Sequence, residues 1–91
     1  MYSVEYDDKA AKSLAKLDKP SAKLIYNWIT NNLVNCENPR QYGKALIGDK
    51  KGYWRYRVGT YRIISQIDDS TVKILIIDIG HRKNIYSKSY Q

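Results

Sequence analysis

Residues 53–66 read Y-W-R-Y-R-V-G-T-Y-R-I-I-S-Q, and this stretch predicts a β-hairpin. Two runs rich in aromatic and β-branched residues flank Gly59-Thr60, a Gly-X pair that suits a two-residue II′ turn. Side chains alternate between the two faces of a strand. One face of the hairpin therefore carries Tyr53, Arg55, Arg57, Arg62 and Gln66, and the other carries Trp54, Tyr56, Val58, Tyr61 and Ile63.

The face that holds the three arginines is called the arginine face below. The II′ turn would set Arg57 directly opposite Arg62, and like charges in that position destabilise a sheet. Water and salt can screen such a pair, or an anion can lie between the two guanidinium groups. We predict the anion, and phosphate is the one that bidentate guanidinium groups suit best.

The composition predicts one small folded domain over residues 1–91. The chain has 43% apolar residues, which favours a packed globule over a disordered tail. It carries 16 Lys and Arg against 9 Asp and Glu, a formal net charge of +7. The basic residues cluster from Lys44 to Arg62 and again at residues 81–83. This clustering favours a polyanionic partner, either a nucleic acid or an acidic protein.

Hydrophobic periodicity predicts the remaining strands and helices. Residues 2–6 alternate as a strand with one buried face, and the segment after residue 71 reads as the last strand. Apolar side chains at helical spacing predict two helices joined by a short turn. The predicted bounds are Asp8–Leu17, Pro20–Val34 and Val72–Ile79. The order is β-α-α-β-β-β, an α+β fold with a helical hairpin packed on a mainly antiparallel sheet.

Two finer expectations concern which side chains face the core. In the second helix Ile25, Ile29 and Leu33 form a stripe that Leu24 should widen. In the last strand strict alternation assigns Val72, Ile74 and Ile76 to the core side. The same alternation assigns Leu75, Ile77 and Ile79 to the arginine face, where a partner or the tail of the chain would cover them.

Several classes of function are disfavoured. Cys36 is the only cysteine, so an internal disulfide is excluded, which fits a cytoplasmic protein. The first residues lack a signal-peptide pattern, and no apolar run approaches membrane-spanning length. The acids are scattered and only one histidine is present, so we expect no metal site and no cofactor.

Arginines with one histidine suit phosphoryl chemistry on RNA, in which the 2′-hydroxyl of the substrate is the nucleophile. Guanidinium groups bind the phosphate and stabilise its developing charge, but their pKa is too high for a general base. A base or acid near neutrality falls to His81, and Tyr86 could move a proton or stack on a base. The plainer alternatives are a solvated Arg55, a surface His81 and a Tyr86 that only anchors the tail.

Three segments, N-P-R-Q-Y-G-K-A-L-I-G-D (38–49), Y-W-R-Y-R-V-G-T-Y-R-I-I (53–64) and I-G-H-R-K-N-I-Y (79–86), resemble the RelE family of the RelE/ParE toxin superfamily. The resemblance implies a ribosome-dependent, metal-independent endoribonuclease that cuts mRNA in the decoding site. It also implies a cognate antitoxin, a small acidic protein that holds the toxin inactive. The resulting partners are the antitoxin, the ribosome and mRNA, with no membrane.

The candidate site residues combine this resemblance with the charge pattern. By the resemblance, Arg62 matches the phosphate-binding arginine, Arg82 the arginine after the last strand, and Tyr86 the stacking tyrosine. Characterised members carry lysines where this chain has Arg55 and Arg57, so the resemblance leaves the general base unassigned. The catalytic candidates are Arg57, Arg62, His81, Arg82 and Tyr86, and the RNA-binding candidates are Lys44, Lys50, Lys51, Arg55 and Lys83.

Two alternatives remain open from the sequence. Toxins of the ParE type share the fold but act on DNA gyrase and generally lack the complete catalytic set. A non-enzymatic nucleic-acid-binding module would bind with an affinity that falls steeply with salt and would cleave nothing.

Overall fold

The computed structural model describes residues 1–46 and 52–81. A five-stranded sheet with strand order β1-β5-β4-β3-β2 lies under two helices. Strands β1 and β5 pair in parallel, and every other pair is antiparallel. The elements are β1 (Ser3–Tyr6), α1 (Asp8–Lys16), α2 (Lys19–Asn32), a 3-10 turn (Pro39–Gln41), β2 (Lys44–Ala45), β3 (Tyr53–Val58), β4 (Tyr61–Asp68) and β5 (Lys73–His81). The predicted fold is confirmed, with β2 as an unexpected addition.

An aspartate caps the N-terminus of each helix. The Asp7 carboxylate accepts a hydrogen bond from the Ala10 backbone N–H at 2.8 Å, and Asp18 caps α2 in the same way. The predicted apolar stripe of α2 is confirmed at its centre, because Ile25 and Ile29 are fully buried. Leu24 is a correction: its side chain is 52% exposed and lies outside the core. None of the helices in the described part of the chain is long and apolar enough to cross a membrane.

The hairpin has the predicted register, with Arg57 opposite Arg62 and Val58 opposite Tyr61. Gly59 adopts a φ of +59°, the value that the first central residue of a II′ turn needs. The side of the hairpin that faces the helices supplies the centre of the core. There the buried Tyr56 donates its hydroxyl hydrogen to the Pro39 carbonyl oxygen at 2.7 Å.

Strand β5 contains a bulge that the sequence analysis did not foresee. Ile64 of β4 pairs with Asp78, but the next residue, Ser65, pairs with Ile76. Ile77 is therefore an extra residue, and side chains beyond it change faces. Ile77 packs with Ile64 on the arginine face, as predicted, whereas Ile79 joins the core beneath the helices. The prediction for Ile79 is wrong because strict alternation does not hold across the bulge.

The start of β5 is also corrected. Val72 has a φ of +55° and a side chain that is 37% exposed, so it belongs to the preceding turn and not to the core. The strand begins at Lys73, and the core-side prediction is confirmed for Ile74 and Ile76, both fully buried.

Candidate nucleic-acid interface

Three adjacent strands bring cationic side chains to the arginine face. Lys44 of β2 lies opposite Arg55 of β3, and Arg57 of β3 lies opposite Arg62 of β4. Lys44 and Arg57 are exposed, while Arg55 is half-buried. Paired residues of neighbouring strands share a face. The four cations therefore lie on the arginine face as two adjacent cross-strand pairs, called the basic row below. The sequence analysis predicted this face for Arg55, Arg57 and Arg62 but not for Lys44.

An open pocket of about 190 Å³ lies within this row. Its lining consists of Gly43, Lys44, Arg55 and Arg57. Two guanidinium groups and one ammonium group can each donate charge-assisted hydrogen bonds to phosphate oxygens. The pocket is therefore suited to the backbone of a nucleic acid.

Gly43 is what allows β2 to approach β3. Its φ is +76°, and a Cβ atom at this position would stand 2.1 Å from the Arg55 carbonyl oxygen. The Trp54 indole N–H donates to the Tyr42 carbonyl oxygen at 2.7 Å and fixes the preceding residue. The sequence analysis did not single out Gly43, although a glycine next to Lys44 was the available signal for a close backbone approach.

Arg62 differs from the other cations of the row. Its side chain is 1% exposed, against an exposed Arg57 directly opposite. Asp78, 2% exposed, lies two pairs away from Arg62 along the β4–β5 ladder. The anion predicted between Arg57 and Arg62 stays a prediction. The open pocket lies between β2 and β3, and Arg62 lies buried beside it.

His81 does not join the arginines. It pairs with Tyr61, and the centroids of the two rings are 4.6 Å apart. The Tyr61 hydroxyl donates to Ser21 Oγ of α2 at 3.1 Å, so this contact lies on the helix side of the sheet. The bulge at Ile77 places His81 on this face, away from the arginines with which the sequence analysis grouped it.

The other candidates fall outside the described residues. These are Lys50, Lys51, Arg82, Lys83 and Tyr86. In residues 1–46 and 52–81 no group of three or more His, Cys, Asp or Glu side chains could hold a metal ion.

One further arginine, Arg40, is engaged in the fold. It forms two hydrogen bonds to the Asp69 carboxylate, at 3.0 and 3.1 Å, and the Tyr2 hydroxyl donates to the same carboxylate at 2.6 Å. The hydrogen bonds from Arg40, then from Tyr2, hold the pKa of Asp69 below its usual value. Arg40 thus ties the segment before β2 to the β4–β5 turn and is separate from the basic row.

A family model, curated sequences and solved structures of known proteins match this chain over most of its length. The model of the ParE toxin of the type II toxin–antitoxin system parDE matches residues 4–86. Toxin RelG of Mycobacterium tuberculosis is 29% identical over 87 residues, 96% of this chain and 98% of that relative. Toxin RelE of the same organism is 33% identical over 85 residues, 93% and 86% of the two chains.

A solved structure agrees with these relatives. The crystal structure of the toxin–antitoxin complex RelBE2 from Mycobacterium tuberculosis matches with a TM-score of 0.79 and 28% sequence identity. The match covers 89% of this chain and 98% of that chain. The shared fold therefore includes the sheet that carries the basic row.

Proposed function

The chain belongs to the RelE/ParE family of type II toxin–antitoxin toxins, and from that premise we propose that it is a ribosome-dependent endoribonuclease that cleaves mRNA in the decoding site. The observation that supports this proposal is the basic row on the arginine face. Lys44, Arg55 and Arg57 surround an open pocket that a phosphate of the RNA backbone can enter.

The proposed reaction is an attack by the 2′-hydroxyl on the adjacent phosphate. The 2′-hydroxyl loses its proton to water as the new bond closes a 2′,3′-cyclic phosphate. The bond to the 5′-oxygen breaks, and the leaving oxygen takes a proton from water to become a 5′-hydroxyl. Arg55 and Arg57 bind the phosphate and stabilise the negative charge that grows on its oxygens. These arginines cannot serve as the base because their pKa values are too high.

The position of His81 argues against it as the proton carrier. His81 lies on the helix side of the sheet, against Tyr61, so we give it no proton transfer in the proposed reaction. Arg82 and Tyr86 keep the roles implied by the resemblance, charge stabilisation and stacking or proton transfer. Lys50, Lys51 and Lys83 extend the proposed RNA contact.

The proposed partners follow from the relatives. The RelBE2 structure is a toxin–antitoxin complex, and we propose that a cognate antitoxin binds this chain too. Charge complementarity favours a small acidic protein, because this chain carries a net charge of +7. We also propose the ribosome and mRNA as partners, so the proposed activity would take place in the cytoplasm.

Expression of the protein in translating cells tests the proposal. Primer extension should map cuts within codons, and analysis of the upstream fragments should find 2′,3′-cyclic phosphate ends. Arg57→Ala should reduce cutting by about a hundredfold, the scale of a lost transition-state contact. Lys12→Ala removes an exposed lysine from α1 and should leave cleavage unchanged. Intact messages during growth arrest by the wild-type protein would reject the nuclease.

A second candidate function is a ParE-like action on DNA gyrase, favoured by the match of residues 4–86 to the ParE toxin model. It predicts trapped gyrase–DNA complexes and uncut messages in the same cells. A protein that binds RNA with a steep salt dependence but cuts nothing would instead be a binding module.

A further inference from the structure

Lys44 reaches the open pocket from the shortest strand of the sheet. Strand β2 consists of Lys44 and Ala45, and both residues are exposed. A strand this short forms few hydrogen bonds and buries little apolar surface, and segments of this kind open locally at a low free energy. The position of Lys44 opposite Arg55 therefore depends on contacts outside the strand pairing.

The chain crosses the edge of the sheet immediately before Lys44. Tyr42 packs against the core on the helix side, whereas Lys44 lies on the arginine face opposite Arg55. Gly43 occupies the crossing between them, with a φ of +76°. Because a single residue separates the two faces, an anchor on Tyr42 restricts where Lys44 can lie on the other face.

Trp54 provides such an anchor. Its indole N–H donates to the Tyr42 carbonyl oxygen at 2.7 Å, a short hydrogen bond. Trp54 is also the strand partner of Ala45, so one residue holds the chain on both sides of Lys44. The Tyr42 ring in turn meets the edge of Trp28 in α2, with ring centroids 5.7 Å apart. These contacts fix the backbone on the helix side of the crossing.

The other anchor of this segment in the core lies further from Lys44. The Tyr56 hydroxyl donates to the Pro39 carbonyl oxygen at 2.7 Å, and this bond holds the start of the segment. Within residues 1–46 and 52–81, the Trp54 bond is the side-chain hydrogen bond nearest to the crossing. Its loss would leave a part-buried carbonyl oxygen without its donor, which is unfavourable.

We propose that Trp54 is a positioning residue for Lys44. Its indole N–H holds the Tyr42 carbonyl oxygen on the helix side of the sheet. This contact keeps the Lys44 side chain at the pocket on the opposite face, beside Arg55 and Arg57. The part of this inference that concerns catalysis rests on the nuclease proposed above, whereas the anchoring of β2 by Trp54 does not.

Native-state hydrogen exchange, measured by NMR, tests the anchor. The Leu46 backbone N–H donates to the Tyr53 carbonyl oxygen at 3.1 Å and reports on the opening of β2. Trp54→Phe keeps an aromatic ring and removes the donor, and it should speed exchange at Leu46 by about tenfold or more.

The matched control is Tyr61→Phe, which removes a half-buried hydroxyl that donates to Ser21 Oγ at 3.1 Å, away from β2. This variant should leave exchange at Leu46 unchanged. Exchange at Leu46 that stays the same in Trp54→Phe, or that rises equally in the control, overturns the proposal.

The wild-type protein provides a second test in case Trp54→Phe does not fold. The Trp54 indole N–H and the Leu46 backbone N–H should share one free energy of opening, below that of the β4 and β5 amides, because both are exposed by the same local event. If Leu46 opens while the indole N–H stays protected, Trp54 does not anchor β2 and the proposal fails.

Cleavage assays on programmed ribosomes test the catalytic part. Trp54→Phe should lower kcat by about tenfold with KM within about twofold, since a displaced group costs rate more than binding. Lys44→Ala should lower kcat at least as far, and adding Trp54→Phe to it should have no further effect. A full additional loss in that background, or an unchanged kcat in Lys44→Ala, overturns the positioning role. A wild-type protein that cuts nothing rejects the nuclease, while the exchange measurements still decide the anchor.

Discussion

Gly43 is the residue on which the candidate pocket depends. It combines a φ of +76° with a close approach to the Arg55 carbonyl oxygen. Gly52, by contrast, has a φ of +71° with no described atom within 4 Å of an added Cβ. The two glycines therefore separate the cost of a left-handed backbone from the cost of a steric overlap.

Gly43→Ala should lower the free energy of unfolding by about 3 kcal/mol or more, because the added methyl group suffers both backbone strain and overlap. Gly52→Ala should lower it by only about 1 kcal/mol, the cost of the backbone conformation alone. Urea unfolding of the two variants measures the difference. Equal losses would show that β2 moves away from β3 without cost.

The turn between β4 and β5 combines hydrogen bonds around Asp68 with an unfavourable backbone conformation at Val72. The Asp68 carboxylate organises it by accepting hydrogen bonds from the backbone N–H groups of Ser70 at 3.0 Å and Thr71 at 3.3 Å. Hydrogen bonds from Ser70, then from Thr71, lower the pKa of Asp68. The turn then ends on Val72 at a φ of +55°, a conformation that β-branched residues rarely adopt.

Val72→Gly should raise the free energy of unfolding by about 1 kcal/mol, since glycine adopts a positive φ without the steric cost of a β-branched side chain. Thr71→Gly is the matched control and should lower stability by about 0.5 kcal/mol through the entropy of the unfolded chain. Thermal unfolding of both variants measures these two changes in stability. A Val72→Gly protein that loses as much stability as the control would contradict this account of the turn.

Folding buries the phenol group of Tyr56 and partly buries that of Tyr6. Ionisation of either group would destabilise the folded protein. Burial raises the pKa of Tyr56 well above its ordinary value and raises the pKa of Tyr6 to about 12. The unfolded chain ionises these groups near pH 10. Their contribution to stability is therefore complete below about pH 10 and is lost as the pH rises toward 12.

Tyr6→Phe should make the free energy of unfolding fall less steeply with pH between about 10 and 12, because one buried phenol no longer ionises on unfolding. Val4→Ala, in the same strand as Tyr6, removes no ionisable group and should keep the wild-type slope. Urea midpoints across this pH range test the pair. An identical slope in all three proteins would mean that Tyr6 ionises in the folded state without cost.

The sequence predicted the elements and the hairpin register well, because helix caps, apolar spacing and the Gly59-Thr60 turn are local signals. It could not reveal the bulge in β5. The run I-L-I-I-D-I-G is apolar on both faces, so a shift by one residue leaves its pattern unchanged. The misplacement of Ile79 and the position of His81 on the helix side both follow from that single residue.

The pocket was predictable only in part. The sequence placed Arg55 and Arg57 on one face, but the pairing of Lys44 with Arg55 depends on a two-residue strand too short to produce a periodic signal. The burial of Arg62 has no signal in the sequence, because strand alternation assigns a face and not a degree of exposure.

The parallel pairing of β1 with β5 has a consequence for how the protein is made. Ser3 pairs with Lys73 and Tyr6 with Ile76, so the first strand has no place in the sheet until the last one has been synthesised. Contacts between residues this distant in sequence slow folding. The sheet is therefore completed late in synthesis, when β5 provides the edge on which β1 pairs.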